Sequence, residues 1–151
     1  MYKGKSAGLR IRVMAGADYP QASALWNSTP DLGMRPLDDS EAGIQAFLAR
    51  NPRTCFVAEH EGVLAGALLS GHDGRRGFIY HAAVQKEYRC RGLGSALAAA
   101  AEQALSREGI RKIALVVFGS NETGNRFWEK RGFLAREDLV YRDKSLHDQH
   151  I

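Results

Sequence analysis

The chain has 151 residues, 44% hydrophobic and 25% charged, the balance of one globular domain that buries ~68–70% of its unfolded surface and needs no disulfide or structural metal. Two cysteines, Cys55 and Cys90, are too few and too widely spaced for a disulfide framework or a C-x-x-C metal site, so no metal is expected. There is neither a signal-peptide-like start nor a run of ~18 apolar residues, so neither secretion nor membrane spanning is expected and a cytoplasmic location is. The net charge of +4 divides into an acidic middle (residues 31–74, −4) and a basic remainder (1–30, +3; 75–151, +5). That division suits one anionic and one cationic ligand, and the absence of an aromatic-interleaved basic stripe argues against a nucleic-acid partner.

Leu9-Arg10-Ile11-Arg12-Val13-Met14 alternates apolar and polar residues, which predicts a half-buried strand. Asp18 then offers an N-cap, with Pro20 in the first turn, for a helix to about Trp26. Residues 27–39 hold two prolines, a glycine and little periodicity, and read as a long loop. Ser40-Glu41 opens a second helix, with Ile44, Phe47 and Leu48 on one face, stopped at Asn51-Pro52.

Thr54–Glu59 and Val63–Leu69 flank His60-Glu61-Gly62 and predict a hairpin; the turn Gly71–Gly74 leads to a further strand, Phe78–Val84. From Gly92 to about Arg107, Leu93, Leu97, Ala100, Ala101, Ala104 and Leu105 form the apolar stripe of a helix that Gly109 terminates. Ile113–Phe118 is an unbroken apolar run, expected of a strand covered on both faces. A polar helix over Thr123–Lys130 follows, and Phe133 begins a last β region that includes Leu139-Val140-Tyr141. With no repeat and no linker, one α/β domain spanning 1–151 is the simplest reading.

Between the strand ending at Val84 and the helix starting near Gly92 runs Arg89-Cys90-Arg91-Gly92-Leu93-Gly94-Ser95. Free backbone N–H groups and the positive helix end make such a turn an anion site, and glycines let a phosphate approach the backbone. A P-loop would require Gly-Lys-Ser/Thr, which is missing; the dinucleotide fingerprint requires a third glycine where Leu97 stands.

The pattern Arg89-x-x-Gly92-x-Gly94 resembles the pyrophosphate-binding signature of the GNAT superfamily of acyl-CoA-dependent N-acetyltransferases. Asn121-Glu122-Thr123-Gly124-Asn125-Arg126-Phe127-Trp128-Glu129-Lys130-Arg131-Gly132-Phe133 resembles its second signature. The resemblance covers about residues 9–143. It implies a mixed, mostly antiparallel central sheet with helices on both faces, and acetyl-CoA as the acyl donor. It also implies that Ala82, Ala83 and Val84 offer backbone groups to the pantetheine arm, that Cys90–Ser95 wrap the pyrophosphate, and that Asn121 and Trp128 lie near the reactive end. Family members are commonly dimers, so a homodimer is among the assemblies implied.

Attack on a thioester requires a neutral amine, and an amine of pKa ~10.4 is about one part in a thousand neutral near pH 7.4, a handicap of ~4 kcal/mol. The family commonly supplies a tyrosine to protonate the leaving thiolate. Trp128 holds that position here and its indole can donate a hydrogen bond but not a proton. Val116 stands where some members place a carboxylate base. His81, on the preceding strand, has a side chain suited to accept the amine proton through water, beside the alternative of a structural histidine. On the loop of residues 27–39, Asp38 and its acidic neighbours would draw a cationic amine, and Arg35 could hold a substrate carboxylate. The reading is acetyl transfer to a small-molecule or peptide amine in a ternary complex, with an acyl-CoA-binding module lacking turnover as the alternative.

Overall fold

The computed structural model describes residues 8–147. The alternation at the start of the chain forms β1 (Leu9–Val13), which pairs antiparallel with β2 (Phe56–His60), Ile11 opposite Ala58. Between them lie α1 (Tyr19–Asn27), a long loop, and α2 (Glu41–Arg50). β3 (Val63–His72) returns antiparallel to β2 across the short turn at Glu61-Gly62, and β4 (Gly77–Val84) returns antiparallel to β3. After a 3-10 turn at Lys86–Tyr88 come α3 (Leu93–Arg107), β5 (Ile113–Leu115) and α4 (Glu122–Lys130). The sheet order is β1-β2-β3-β4-β5, antiparallel except for the parallel β4–β5 pair that α3 connects.

Two apolar layers hold the helices to the sheet. On one face Ala22, Leu25 and Trp26 of α1 and Ile44 and Leu48 of α2 pack on Val57, Leu64, Ala67, Leu69 and Ala83. On the other, Leu93, Leu97, Ala98 and Ala101 of α3 and Trp128 of α4 cover Ala58, Ala65, Leu68 and Ile79. The expected mixed, mostly antiparallel sheet with helices on both faces is therefore present. Burial of Cys55 in the first layer pushes its thiol up to about 12, as befits an inert core residue.

Local chemistry accounts for the helix starts, with one difference from expectation. Ser40 caps α2 by accepting the Gly43 N–H at 3.1 Å. Asp18 makes no side-chain cap of α1. Its carboxylate instead accepts both terminal nitrogens of Arg12 at 2.8 Å and the Ala15 N–H at 2.8 Å. A charge-assisted fork outcompetes a single capping bond, and the hydrogen bond from Arg12, against the cost of burial, holds the Asp18 carboxyl below the usual carboxylate range.

Two expectations for the C-terminal third are corrected. Only Ile113–Leu115 of the apolar run is strand, and Val116 and Phe118 are 57% and 50% exposed. From Phe133 onward the described residues form no strand, and Leu139, Val140 and Tyr141 are exposed. The physical reason is the β4–β5 register. It stops at Ile79 opposite Leu115, so the chain beyond Leu115 leaves the sheet and offers no ladder to a following segment. The turn between β3 and β4 also lies later than Gly71–Gly74, because β3 continues to His72 and Asp73 accepts the amides of Arg75 and Arg76 at 2.8 Å.

Gly66 sits where α3 crosses the sheet: a Cβ there would meet Leu97 Cδ1 at 2.9 Å and the Ala83 carbonyl oxygen at 3.1 Å. Gly66→Ala is expected to destabilise the fold by ~1–3 kcal/mol through overpacking, read as a lower midpoint in urea unfolding.

Candidate active site

The site begins with an irregularity in one strand. Leu68 pairs with Ala82 and Ser70 with Ile79, so Tyr80 and His81 of β4 together stand opposite the single Leu69 of β3. The extra residue turns both side chains to the same face of the sheet. Ile79 packs under α3, whereas Tyr80 meets Phe47 of α2 with ring centroids 5.5 Å apart and His81 meets Trp26 of α1 at 5.2 Å. Past the bulge, β5 is gone, and the β4 edge from Tyr80 to Val84 is open.

Strand alternation determines what that edge presents. The Gln85 N–H donates to the Ala65 carbonyl at 2.7 Å, so Gln85 and Ala83 direct their amide groups toward β3, and Ala82 and Val84 direct theirs to the open side. Arg89 Nε donates to the Val84 carbonyl at 3.0 Å and uses that acceptor. Of the three residues expected to receive an extended arm, Ala82 and Val84 thus have outward-facing groups, and Ala83 has its own turned into the sheet.

The glycine loop follows directly. Cys90 and Gly92 adopt left-handed φ of 61° and 76°, which for a cysteine carries a conformational cost. No side chain caps α3 at Gly92, and the Ala96 N–H closes the first turn on the Gly92 carbonyl, leaving the amides of Leu93, Gly94 and Ser95 without helical acceptors. The loop is anchored elsewhere: Arg91 lies over the Tyr88 ring at 5.4 Å, and the Tyr88 hydroxyl lies 2.8 Å from His60 Nδ1. An uncapped, glycine-lined helix start held by its flanks fits a diphosphate, and Cys90 at its rim is exposed.

His81 is 7% exposed, and its Nε2 lies 2.7 Å from Asp39 Oδ1. Asp39 also accepts the Arg35 N–H at 2.6 Å through Oδ2. Burial alone would raise the Asp39 carboxyl, but the bonds from His81 and the Arg35 amide outweigh it and hold it below the usual range. An ionised carboxylate only accepts, so Nε2 carries the hydrogen. Asp39, one of four acidic residues in this stretch of sequence, is the functional candidate whose contact sequence reasoning missed; no local signal separates it from Asp38. Asp38 and Arg35 are exposed. Asp38 lies close enough to Tyr80, with Tyr141, to add to the effect of burial in raising the phenol above its ordinary value. Arg35 and Asp39, with Tyr19 and Ser40, line a cavity of about 320 Å³.

Trp128 is buried, with its ring edge-on to Phe127 at 4.8 Å and Phe133 at 5.2 Å. Phe127 in turn lies 3.3 Å from where a Cβ on Gly94 would sit, so α4 packs on the start of the glycine helix. Asn121 Oδ1 caps α4 by accepting the Gly124 N–H at 2.9 Å. A larger cavity of about 570 Å³, lined by Arg75, Arg76, Arg111 and Lys112, lies at the opposite end of β4 and away from this chemistry.

The Acetyltransferase (GNAT) family model matches residues 21–133. The chain belongs to the GNAT acetyltransferase family. It is 33% identical over 138 residues to the acetyltransferase SG1711 of Sodalis glossinidius, covering 91% of this chain and 96% of that one. Its fold is similar to that of Ard1 from Thermoplasma volcanium, with a TM-score of 0.74 at 22% identity over 84% of this chain and 83% of that one. It is also similar to AAC(6')-Iy, solved with a bisubstrate analogue, CoA-S-monomethyl-acetylneamine, with a TM-score of 0.69 at 20% identity over 91% and 98% of the two chains.

The lowered carboxyl of Asp39 ties stability to pH. Its contribution is complete above the ordinary carboxylate value near ~3.9 and is lost as pH falls through the folded value. Asp39→Ala is expected to lower unfolding free energy by ~1–3 kcal/mol at neutral pH. Its penalty shrinks on acidification, as measured by urea unfolding across pH.

Proposed function

We propose that this GNAT acetyltransferase transfers an acetyl group from acetyl-CoA to a primary amine, by direct attack in a ternary complex. The observation that carries the reading is the open edge of β4 leading straight into an uncapped helix start, a continuous track for an extended arm ending in a diphosphate. Ala82 and Val84 bind the pantetheine arm through outward backbone groups, and Cys90, Arg91, Gly92, Leu93, Gly94 and Ser95 surround the diphosphate with Arg89 beside them. Acetyl-CoA supplies the electrophilic thioester carbon.

The acceptor is a small-molecule or peptide amine entering from the side of Tyr80, Asp38 and Arg35. Asp38 attracts its cationic form, and Arg35 offers a guanidinium to a carboxylate. His81 is the base in this reading and takes the amine proton through water. The departing thiol, of ordinary pKa ~8.5, leaves with little acid assistance. In this reading Trp128 of α4 and its N-cap Asn121 lie toward the reactive end of the cofactor, Trp128 within the aromatic stack on the α3 face and Asn121 capping α4. The enzyme works in the cytoplasm, in keeping with its sparse cysteines and with the lack, among the described residues, of any helix able to cross a membrane.

Saturating acetyl-CoA at ~100 times its dissociation constant is expected to add ~2.7 kcal/mol, or about 5–10 °C in thermal unfolding. Gly92→Asp removes the shift while preserving the fold, since an aspartate tolerates the left-handed conformation and brings a negative charge to the diphosphate. Acetyl-CoA also slows alkylation of Cys90. Release of CoA thiol with a panel of amines tests turnover; a thermal shift without release on any acceptor supports a binding module instead.

A further inference from the structure

Two tight turns meet at the end of the sheet opposite the glycine loop. One joins β3 to β4, the other carries the chain from α3 into β5, and the Gly77 N–H ties them together by donating to the Lys112 carbonyl at 2.9 Å. Gly74, Arg75 and Arg76 of the first turn and Gly109, Arg111 and Lys112 of the second line the cavity of about 570 Å³. The 15 residues of α3 put roughly 22 Å between this cavity and the amides of Leu93, Gly94 and Ser95.

Local bonds fix the backbone beneath the four cations. The Gly74 N–H donates to His72 Nδ1 at 2.9 Å, and Asp73 Oδ1 accepts the amides of Arg75 and Arg76 at 2.8 Å each. His72 is held in turn, its Nε2 lying 2.8 Å from Glu108 Oε1. Gly74 and Gly109 take left-handed φ of 88° and 85°, so both turns close tightly and leave the rim without a side chain at those points.

The fold makes little use of these charges. Among the described residues the ion pairs of arginine and lysine are those of Arg10, Arg12, Arg53, Arg131 and Arg136. The two carboxylates of the turns are engaged elsewhere, Asp73 with amides of its own turn and Glu108 with His72 and Arg53. Nor are the cations needed to cap α3, because the carbonyls of Ala104, Leu105 and Ser106 already accept the N–H groups of Glu108, Gly109 and Ile110. Arg76 makes one bond, from Nη1 to the Arg75 carbonyl at 3.2 Å, and keeps its other N–H groups.

We propose that this cavity is a second ligand site, which takes a compact anion bearing two or more phosphate groups. Four like charges around one hollow repel one another, and a bound polyanion relieves that repulsion. Three of the four are guanidiniums, whose paired N–H groups match phosphate oxygens, and the Lys112 ammonium adds a point charge. The volume falls within the ~300–1,000 Å³ of small-ligand sites. A lining with no apolar or aromatic side chain gives a base nothing to stack on and an acyl chain nothing to bury against, so the phosphates themselves are what is recognised. The cations also surround a hollow and do not run along a stripe, which favours a compact anion over a nucleic-acid strand. The site does not rest on the acetyl-transfer reading.

Inorganic tripolyphosphate is the probe, and Gly92→Asp removes the glycine loop as a competing diphosphate site. Calorimetric titration at fixed ionic strength is expected to show tripolyphosphate binding to Gly92→Asp, weakened at least ~10-fold when Arg76→Ser and Arg111→Ser are added. Both arginines are exposed and lack a carboxylate partner among the described residues, so the added substitutions are expected to leave the unfolding temperature unchanged. Proton–nitrogen correlation spectra of the wild type are expected to shift at residues 74–77 and 109–112, and they decide the matter by themselves if a variant does not fold.

Binding lost in Gly92→Asp alone, binding unchanged by the two arginine substitutions, or shifts confined to residues 89–95 overturns the proposal. So does equal displacement by sulfate at the same ionic strength, which identifies charge screening only. Tighter binding of a single-stranded oligonucleotide at the same amides identifies a nucleic-acid surface and overturns it as well.

Discussion

One extra residue in β4 governs most of what surrounds it. Without the bulge opposite Leu69, strand alternation would carry His81 to the same face as Ile79, beneath α3 and away from the acidic loop. With it, Tyr80 and His81 both face α1 and α2, and the strand turns out of register with β5. An irregularity of this kind leaves backbone groups unpaired, which would be a liability on an ordinary edge. Here the unpaired length is followed, after the turn through Lys86–Tyr88, by a helix start that also lacks a cap, so unpaired backbone groups continue from one to the other.

The glycine loop shows a comparable economy. Its shape does not rely on the atoms that would contact a diphosphate. Tyr88, stacked under Arg91 and joined to His60 of β2, holds the loop from below, and Arg89 returns to the Val84 carbonyl. The amides of Leu93, Gly94 and Ser95 are left outward. Pre-ordering by side chains that face away from the ligand lowers the entropic cost of binding. The close approach of Phe127 to Gly94 then couples α4, and through it Trp128 and Asn121, to the position of that loop.

Where sequence reasoning succeeded, the signal was local. Ser40 capping α2, the apolar stripe of α3 and the turn at Glu61-Gly62 all follow from contacts within a few residues. The position of the loop from Arg89 to Ser95, between β4 and the start of α3, was legible because its glycines mark the turn. It failed where a distant partner competes. Asp18 has the sequence of an N-cap, yet Arg12 and the Ala15 amide take its carboxylate. The apolar run beyond Leu115 has the composition of a covered strand, yet no neighbouring strand lies alongside it.

The sequence by itself therefore determined the family and the order of elements as far as α4, since hydrophobic period, turn residues and glycine spacing act over distances that the chain encodes locally. Only the tertiary structure decided that Asp39 rather than Asp38 meets His81, and that Ala82 and Val84 rather than Ala83 face the open edge. Adjacent carboxylates are chemically alike, and which of them turns inward depends on α1, α2 and a bulged strand packing together. That choice is made by shape and register across the fold, which neither composition nor spacing records.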